Sequence, residues 1–304
     1  MDSILITGVN GFIGRHLAFD RLKRGLRVVG LDVQSEPSIP LSDYLPLTLP
    51  SKNLRSQIAK WQPQVCLHCA GPASVANSME DPDRDFLGSA ASTSNLLDGL
   101  RREAPDCRLV YLSSAAVYGN PVTLPIDEET RVEPISPYGF HKAMCEALCV
   151  EYHRVFGLRT AEVRIFSAYG VGMLRQVIAD LSRKLLSADD GKAIELHGTG
   201  NETRDFIQVS DIVGGIDAVL ARGKFQGEVY NLASGDSSTI VRVVEVLRRR
   251  LSPLREVRFA GKSRTGDPLY WSAKIDKLRA LGFAPKVSLE DGLNQYAEWI
   301  KNSI

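Results

Sequence analysis

The sequence predicts an α/β fold built on a doubly wound parallel sheet, followed by a smaller C-terminal α/β domain. Three observations carry that reading. Short apolar runs alternate with helical segments through the first half of the chain. A glycine-rich turn, Gly8-Val9-Asn10-Gly11-Phe12-Ile13-Gly14, joins the first run to the first helix. A later run ends in Ser113-Ser114 and precedes a helix that carries Tyr138 and Lys142 one turn apart.

The first strand, Ile4-Leu5-Ile6, is continuously apolar, as a parallel strand covered on both faces requires. The strand, glycine turn and helix (Ile13, Leu17 and Leu22 on its apolar side) form the setting of a dinucleotide fingerprint. Gly8 and Gly11 allow a tight turn and close backbone approach to a pyrophosphate. Gly14 lets the helix lie close to the strand, and the helix N-terminus faces the phosphates. The second strand, 27–31, ends at Asp32, whose carboxylate can accept hydrogen bonds from ribose hydroxyls and would repel a 2′-phosphate. No arginine follows directly, the next residues being Val33, Gln34 and Ser35, so NAD is expected over NADP.

A proline-rich stretch, 34–50, leads to a strand at 65–68 and to the small residues Ala70 and Gly71, which would let a cofactor approach. Cys66-Leu67-His68-Cys69 lies on that buried strand with no second ligand pair at zinc-finger spacing, so a core role is expected and no metal. The strand at 109–112 delivers Ser113 and Ser114 at its carboxyl end, where α/β sheets place their ligands. Pro137 suits a helix start, and good helix formers follow to about Phe156. An ammonium beside a phenol favours the anion, which turns a poor base at neutral pH into a usable one. A strand at 162–165 closes the regular alternation. The expected division is therefore 1–166 and 167–304, with segments free to interleave. Tyr296, Trp299 and Ile300 form one apolar face of a closing helix.

With these residues in place, the chain resembles the extended short-chain dehydrogenase/reductases, in the NAD-dependent nucleotide-sugar epimerase/dehydratase branch typified by UDP-glucose 4-epimerases. The G-x-x-G-x-x-G spacing is that family's form. The resemblance implies a Rossmann-type NAD domain and a nucleotide-sugar domain behind it. It implies that Tyr138 is the acid/base, that Lys142 binds the nicotinamide ribose and that Ser114 holds the substrate hydroxyl, with Ser113 beside it. It further implies diphosphate contacts from Ser167, Arg204 and Arg264, a nucleoside ribose contact from Asp267 and a limit on sugar size from Tyr270. The implied activity is C4 epimerisation in surface polysaccharide synthesis, by a homodimer formed through the helices near 95–102 and 138–156 (Ala143, Ala147, Val150). A 4-ketoreductase and a non-catalytic cofactor sensor remain as alternatives. A 4,6-dehydratase would carry an Asp-Glu pair where Ala115-Ala116 stand, and neither alanine can transfer a proton.

Size and charge exclude other classes. At 304 residues and 44% hydrophobic content the chain can bury a large core. A formal net charge of +1 points to no nucleic-acid partner. Arg248, Arg249 and Arg250 read as a solvated helix face. No apolar run of about 18 residues occurs, so no membrane span is expected. The first strand begins too early for a signal peptide, and five unpaired-looking cysteines suit a reducing cytoplasm.

Overall fold

The computed structural model describes residues 3–187, 193–261 and 269–303. Its first half runs β1 (Ser3–Thr7), α1 (Phe12–Lys23), β2 (Arg27–Asp32), β3 (Asp43–Pro46), α2 (Leu54–Trp61) and β4 (Val65–His68). Two short helices follow, α3 (Val75–Glu80) and α4 (Pro82–Phe86), then a π-helical turn (Leu87–Ala91) and α5 (Ser92–Glu103). β5 (Arg108–Ser114), a 3-10 turn (Ala115–Tyr118), α6 (Pro137–Phe156) and β6 (Arg159–Ile165) complete it. The second half holds β7 (Ser167–Tyr169), α7 (Gln176–Leu186), β8 (Ile194–Leu196), β9 (Thr203–Gln208) and α8 (Val209–Arg222). After these come β10 (Glu228–Leu232), β11 (Ser237–Thr239), α9 (Ile240–Leu251), β12 (Val257–Phe259), α10 (Asp276–Arg279) and α11 (Leu289–Lys301).

Seven strands form one parallel sheet in the order β10-β6-β5-β4-β1-β2-β3. Alternate residues of β1, β2, β4 and β5 enter opposite cores. Ile4 and Ile6 pack with α1 and α8, whereas Leu5 packs with α2, α5 and α6. Val110 and Leu112 join the first core, Leu109 and Tyr111 the second. Burial on both faces explains why these strands are continuously apolar in sequence.

The fading of alternation after Phe166 does not mark the end of this sheet. β10 pairs with β6 in parallel, and α8 packs against α1, so residues 209–232 return to the first layer system. The remainder forms a three-stranded sheet, β11-β9-β7, and a two-stranded pair, β12-β8. These pack with α7, α9 and α11 around a third core that includes Tyr296 and Ile300, with Trp299 against it.

The sheet order reverses at β1, which lies between β2 and β4. Ligands of such sheets bind at the carboxyl ends of the strands beside that reversal. Gly8–Gly14, Asp32, Ala70–Gly71, Ser114 and Ser167 all follow or end strands at this edge, so topology alone gathers residues from distant parts of the sequence.

Candidate active site

Gly8 sits at φ +66° and Gly11 caps α1 with no side-chain hydrogen bond and no acidic residue in the first turn. The helix therefore offers its amino end to an anion. A Cβ on Gly14 would run into the Gly8 carbonyl oxygen, so only glycine lets α1 lie this close to the turn. Phe12 and Ile13 send their side chains into the third and first cores, which leaves their backbone as the part that can face phosphate. A Gly14→Ala variant is expected to lose most of its NAD on purification, with about 1–3 kcal/mol of overpacking strain. The readout is nicotinamide released on denaturation, and full retention would contradict the close-approach argument.

Asp32 is buried at the end of β2. Its Oδ2 accepts the Asn10 N–H at 2.9 Å and its Oδ1 accepts the Gln34 N–H at 3.3 Å. The Asn10 side chain is taken up by the following loop: it donates to the Glu36 carbonyl (2.9 Å) and accepts from the Ser38 N–H (2.7 Å). Asn10 thus ties the end of β2 to the loop that follows it, through its backbone and its side chain. Ala70 is half-buried, Gly71 is exposed at φ +140°, and both line the open side of β4. Gly turn, uncapped helix and strand-end carboxylate fit an NAD molecule lying across the β1 edge.

The β4 end is braced by a buried relay. The Ala70 N–H donates to Thr7 Oγ1 at 3.2 Å, and Thr7 Oγ1 lies 2.7 Å from His68 Nδ1. On the other side of the ring, His68 Nε2 lies 3.1 Å from Thr93 Oγ1, which donates to Cys145 Sγ at 3.3 Å. Burial, then the charge of Lys142, holds the His68 imidazole down to about 3, so it is neutral and fits a donor at Nε2 and an acceptor at Nδ1. Burial pushes the Cys69 thiol up to about 12. Among the described residues no group of three or more His, Cys, Asp or Glu is placed to hold a metal ion.

Helix α6 starts on Ser136, whose Oγ accepts the Gly139 N–H at 3.2 Å, with Pro137 in the first turn. Such a cap contributes about 1 kcal/mol. A Cβ on Gly139 would stand 2.6 Å from the Ala116 carbonyl oxygen, so glycine lets α6 press on the turn that follows Ser114. Lys142 is buried. Its Nζ donates to the Leu112 carbonyl at 2.8 Å and lies 4.9 Å from the Tyr111 ring centroid and 5.8 Å from that of Tyr138. Tyr138 is half-buried, and Ser114 Oγ accepts the Ala116 N–H at 3.2 Å. Ser114, Tyr138 and Lys142 are thus brought together at the end of β5.

Ser113 is not. Successive strand residues face opposite ways, and its hydroxyl donates to buried Glu146 at 2.5 Å, on the α6 side of the sheet. The expected substrate contact from Ser113 is therefore replaced by a structural one. Glu146 also pairs with Arg164, at 3.0 Å to Nε and 2.7 Å to Nη2, and Arg164 Nη1 donates to the Tyr118 hydroxyl at 2.8 Å. Tyr118 in turn donates to Asn231 on β10 at 2.7 Å. Burial opposes the charge of Arg164, but Glu146 and Tyr118 keep the guanidinium firmly protonated.

Beside this network Glu162 is fully buried, and neither carboxyl oxygen has a partner of good hydrogen-bond geometry. Burial, then Glu146 and Glu228, raises its pKa well above the ordinary 4.5. The folded chain thus binds this proton more tightly than the unfolded one. Stability from this group is present below pH 4.5 and lost as pH rises toward the folded value. Glu162→Gln is expected to gain stability relative to the parent as pH rises from about 5 to about 8 in urea unfolding. A gap independent of pH would contradict the assignment.

On the C-terminal side, the Arg204 guanidinium lies 5.6 Å from the Trp271 ring centroid, and Nη1 donates to the Thr203 and Leu269 carbonyls at 2.9 and 3.1 Å. Trp271 meets Phe166 edge-on at 5.8 Å and donates from Nε1 to the Gly119 carbonyl at 3.1 Å. This stack joins the end of β6 to β9. Ser167 pairs with Phe206 across β7 and β9, and exposed Tyr270 bridges Thr203. Asp205 turns inward onto Ser234 Oγ (2.7 Å) and the Gly235 N–H (2.9 Å), and burial pushes its carboxyl up to about 6. Arg264 and Asp267 lie outside the described residues.

A dinucleotide cradle beside a Ser, Tyr and Lys cluster defines a short-chain dehydrogenase/reductase. The profile of the NAD dependent epimerase/dehydratase family matches residues 4–233, and the chain belongs to that family. It is an NAD-dependent enzyme of the nucleotide-sugar epimerase type. A putative UDP-glucose 4-epimerase of Methanocaldococcus jannaschii is 29% identical over 99% of both chains. MoeE5, solved with UDP-glucuronic acid and NAD, superposes at a TM-score of 0.90 with 27% identity, covering 99% of this chain and 100% of its own. The Thermus thermophilus UDP-glucose 4-epimerase, solved with NAD, gives the same score, identity and coverage.

Proposed function

We propose that the chain interconverts C4 epimers of a nucleotide-diphosphate sugar. The observation that supports this most is the placement of the buried Lys142 ammonium beside Tyr138, with Ser114 at the adjoining strand end. Gly8–Gly14, Asp32, Ala70 and Gly71 would hold NAD, which supplies a hydride acceptor that also returns the hydride. Tyr138 takes the proton of the sugar 4-hydroxyl and gives it back after the sugar has turned its other face. Ser114 donates to the C4 oxygen as charge develops on it, and Lys142 holds the cofactor ribose and the phenol together. Arg204, with Arg264, Ser167 and Asp267, would anchor the nucleotide diphosphate in the 167–304 region, and Tyr270 would bound the sugar. Ala115 and Ala116 bear no transferable proton, which disfavours dehydration.

The test is to denature protein purified without added cofactor, assay released nicotinamide, and offer the native protein UDP-, GDP-, CDP- and dTDP-sugars. About one NAD per chain with C4 epimers formed supports the reading. An empty site that consumes NADPH only with a 4-keto sugar favours the ketoreductase.

The product would serve surface polysaccharide synthesis in the cytoplasm, a compartment that the five free cysteines suit. A deletion strain should then lack the epimeric sugar in its surface polymers. No described helix is long and apolar enough to cross a membrane. A homodimer would pair through α5 and α6, where Phe140 and Met144 of α6 are exposed. Of the three residues expected to supply contacts, Ala147 is exposed, while Ala143 and Val150 are half-buried within the chain. Sedimentation at the mass of one chain would sink the dimer.

A further inference from the structure

We propose that Ser78 is a positioning residue for Tyr138, tying the first turn of α6 to α3, the short helix that follows β4. The first amide groups of a helix have no partner within it. In α6 the Gly139 N–H goes to Ser136, as expected of an N-cap, but the Tyr138 N–H is met from another element. Ser78 Oγ accepts it at 3.1 Å. Ser78 is wholly buried, and its own hydroxyl proton goes to the Val75 carbonyl at 2.7 Å, which leaves an oxygen lone pair for Tyr138. Ser74, the cap of α3, accepts the Asn77 N–H at 3.2 Å and fixes α3 directly after Ala70–Gly71. The backbone of the acid/base is therefore set by α3. No charged group takes part, so the coupling is one of position. The inference rests on the reading of Tyr138 as the acid/base.

The experiment compares Ser78→Ala, Ser78→Thr and Tyr138→Phe in the holoenzyme, with NAD content, kcat, KM for the nucleotide sugar and the pH dependence of kcat/KM. Small displacements of a reacting group cost up to about 10²-fold. S78A is expected to lower kcat about 10- to 100-fold with NAD content, KM and the shape of the pH profile unchanged. Ser78→Thr, which keeps the oxygen, is expected to restore most of kcat. Unchanged kcat in S78A overturns the proposal, as does a loss that follows NAD content and is not rescued by threonine. If S78A does not fold, Ser78→Cys, whose sulfur accepts weakly, carries the same comparison. An active Tyr138→Phe would sink the acid/base reading itself, whereas an inactive Y138F with an unaffected S78A sinks only the role of Ser78.

Discussion

Replacing Tyr138 with phenylalanine is expected to lower kcat by roughly 10²–10⁴-fold while bound NAD and the fold remain. The substitution keeps the ring that stands beside Lys142 and the backbone N–H held by Ser78, and removes only the hydroxyl. Among the described residues, the proposed chemistry puts one other transferable proton at the C4 oxygen, that of Ser114, whose hydroxyl is a far weaker base. Turnover and released nicotinamide, measured on one preparation, separate chemistry from binding. Loss of NAD in step with activity would mean that the phenol serves the cofactor site instead.

The second large effect is on stability. Arg164→Leu is expected to cost about 3–5 kcal/mol, because it leaves the Glu146 carboxylate buried without its ion-pair partner and removes the donor to Tyr118. Joining it with Glu146→Leu should recover much of that loss, since the desolvation cost of both charges then disappears. Urea unfolding of the two single variants and the double variant measures the coupling. A single-variant loss below about 1 kcal/mol would place the pair among ordinary surface bridges and contradict its burial.

The Gly8–Gly14 turn, Asp32 and the Tyr138–Lys142 pair were legible because each is a local pattern whose meaning depends on neighbours in sequence. Strand alternation likewise reads directly, and Ser113 shows its limit. Two adjacent serines look equivalent in a sequence, but pleating turns them to opposite faces and sends Ser113 to Glu146. Glu146 itself had a signal, since it follows Tyr138 and Lys142 at the same four-residue interval along the inner face of α6. The return of β10 to the large sheet had none, because strand pairing between residues 161–165 and 228–232 is fixed by tertiary packing. Ser78 was equally silent: within Asn77-Ser78-Met79-Glu80-Asp81-Pro82 it reads as part of a polar loop, and its importance comes only from where α6 begins.

The most direct test of the central claim is the fate of a deuterium placed at C4 of the nucleotide sugar, followed by mass spectrometry and NMR without added cofactor. Transient oxidation on a tightly held NAD predicts that the C4 epimer forms and keeps the label at C4 in ordinary water. Epimer formed with the label lost to solvent, or no epimer from any nucleotide sugar despite one NAD per chain, would contradict it.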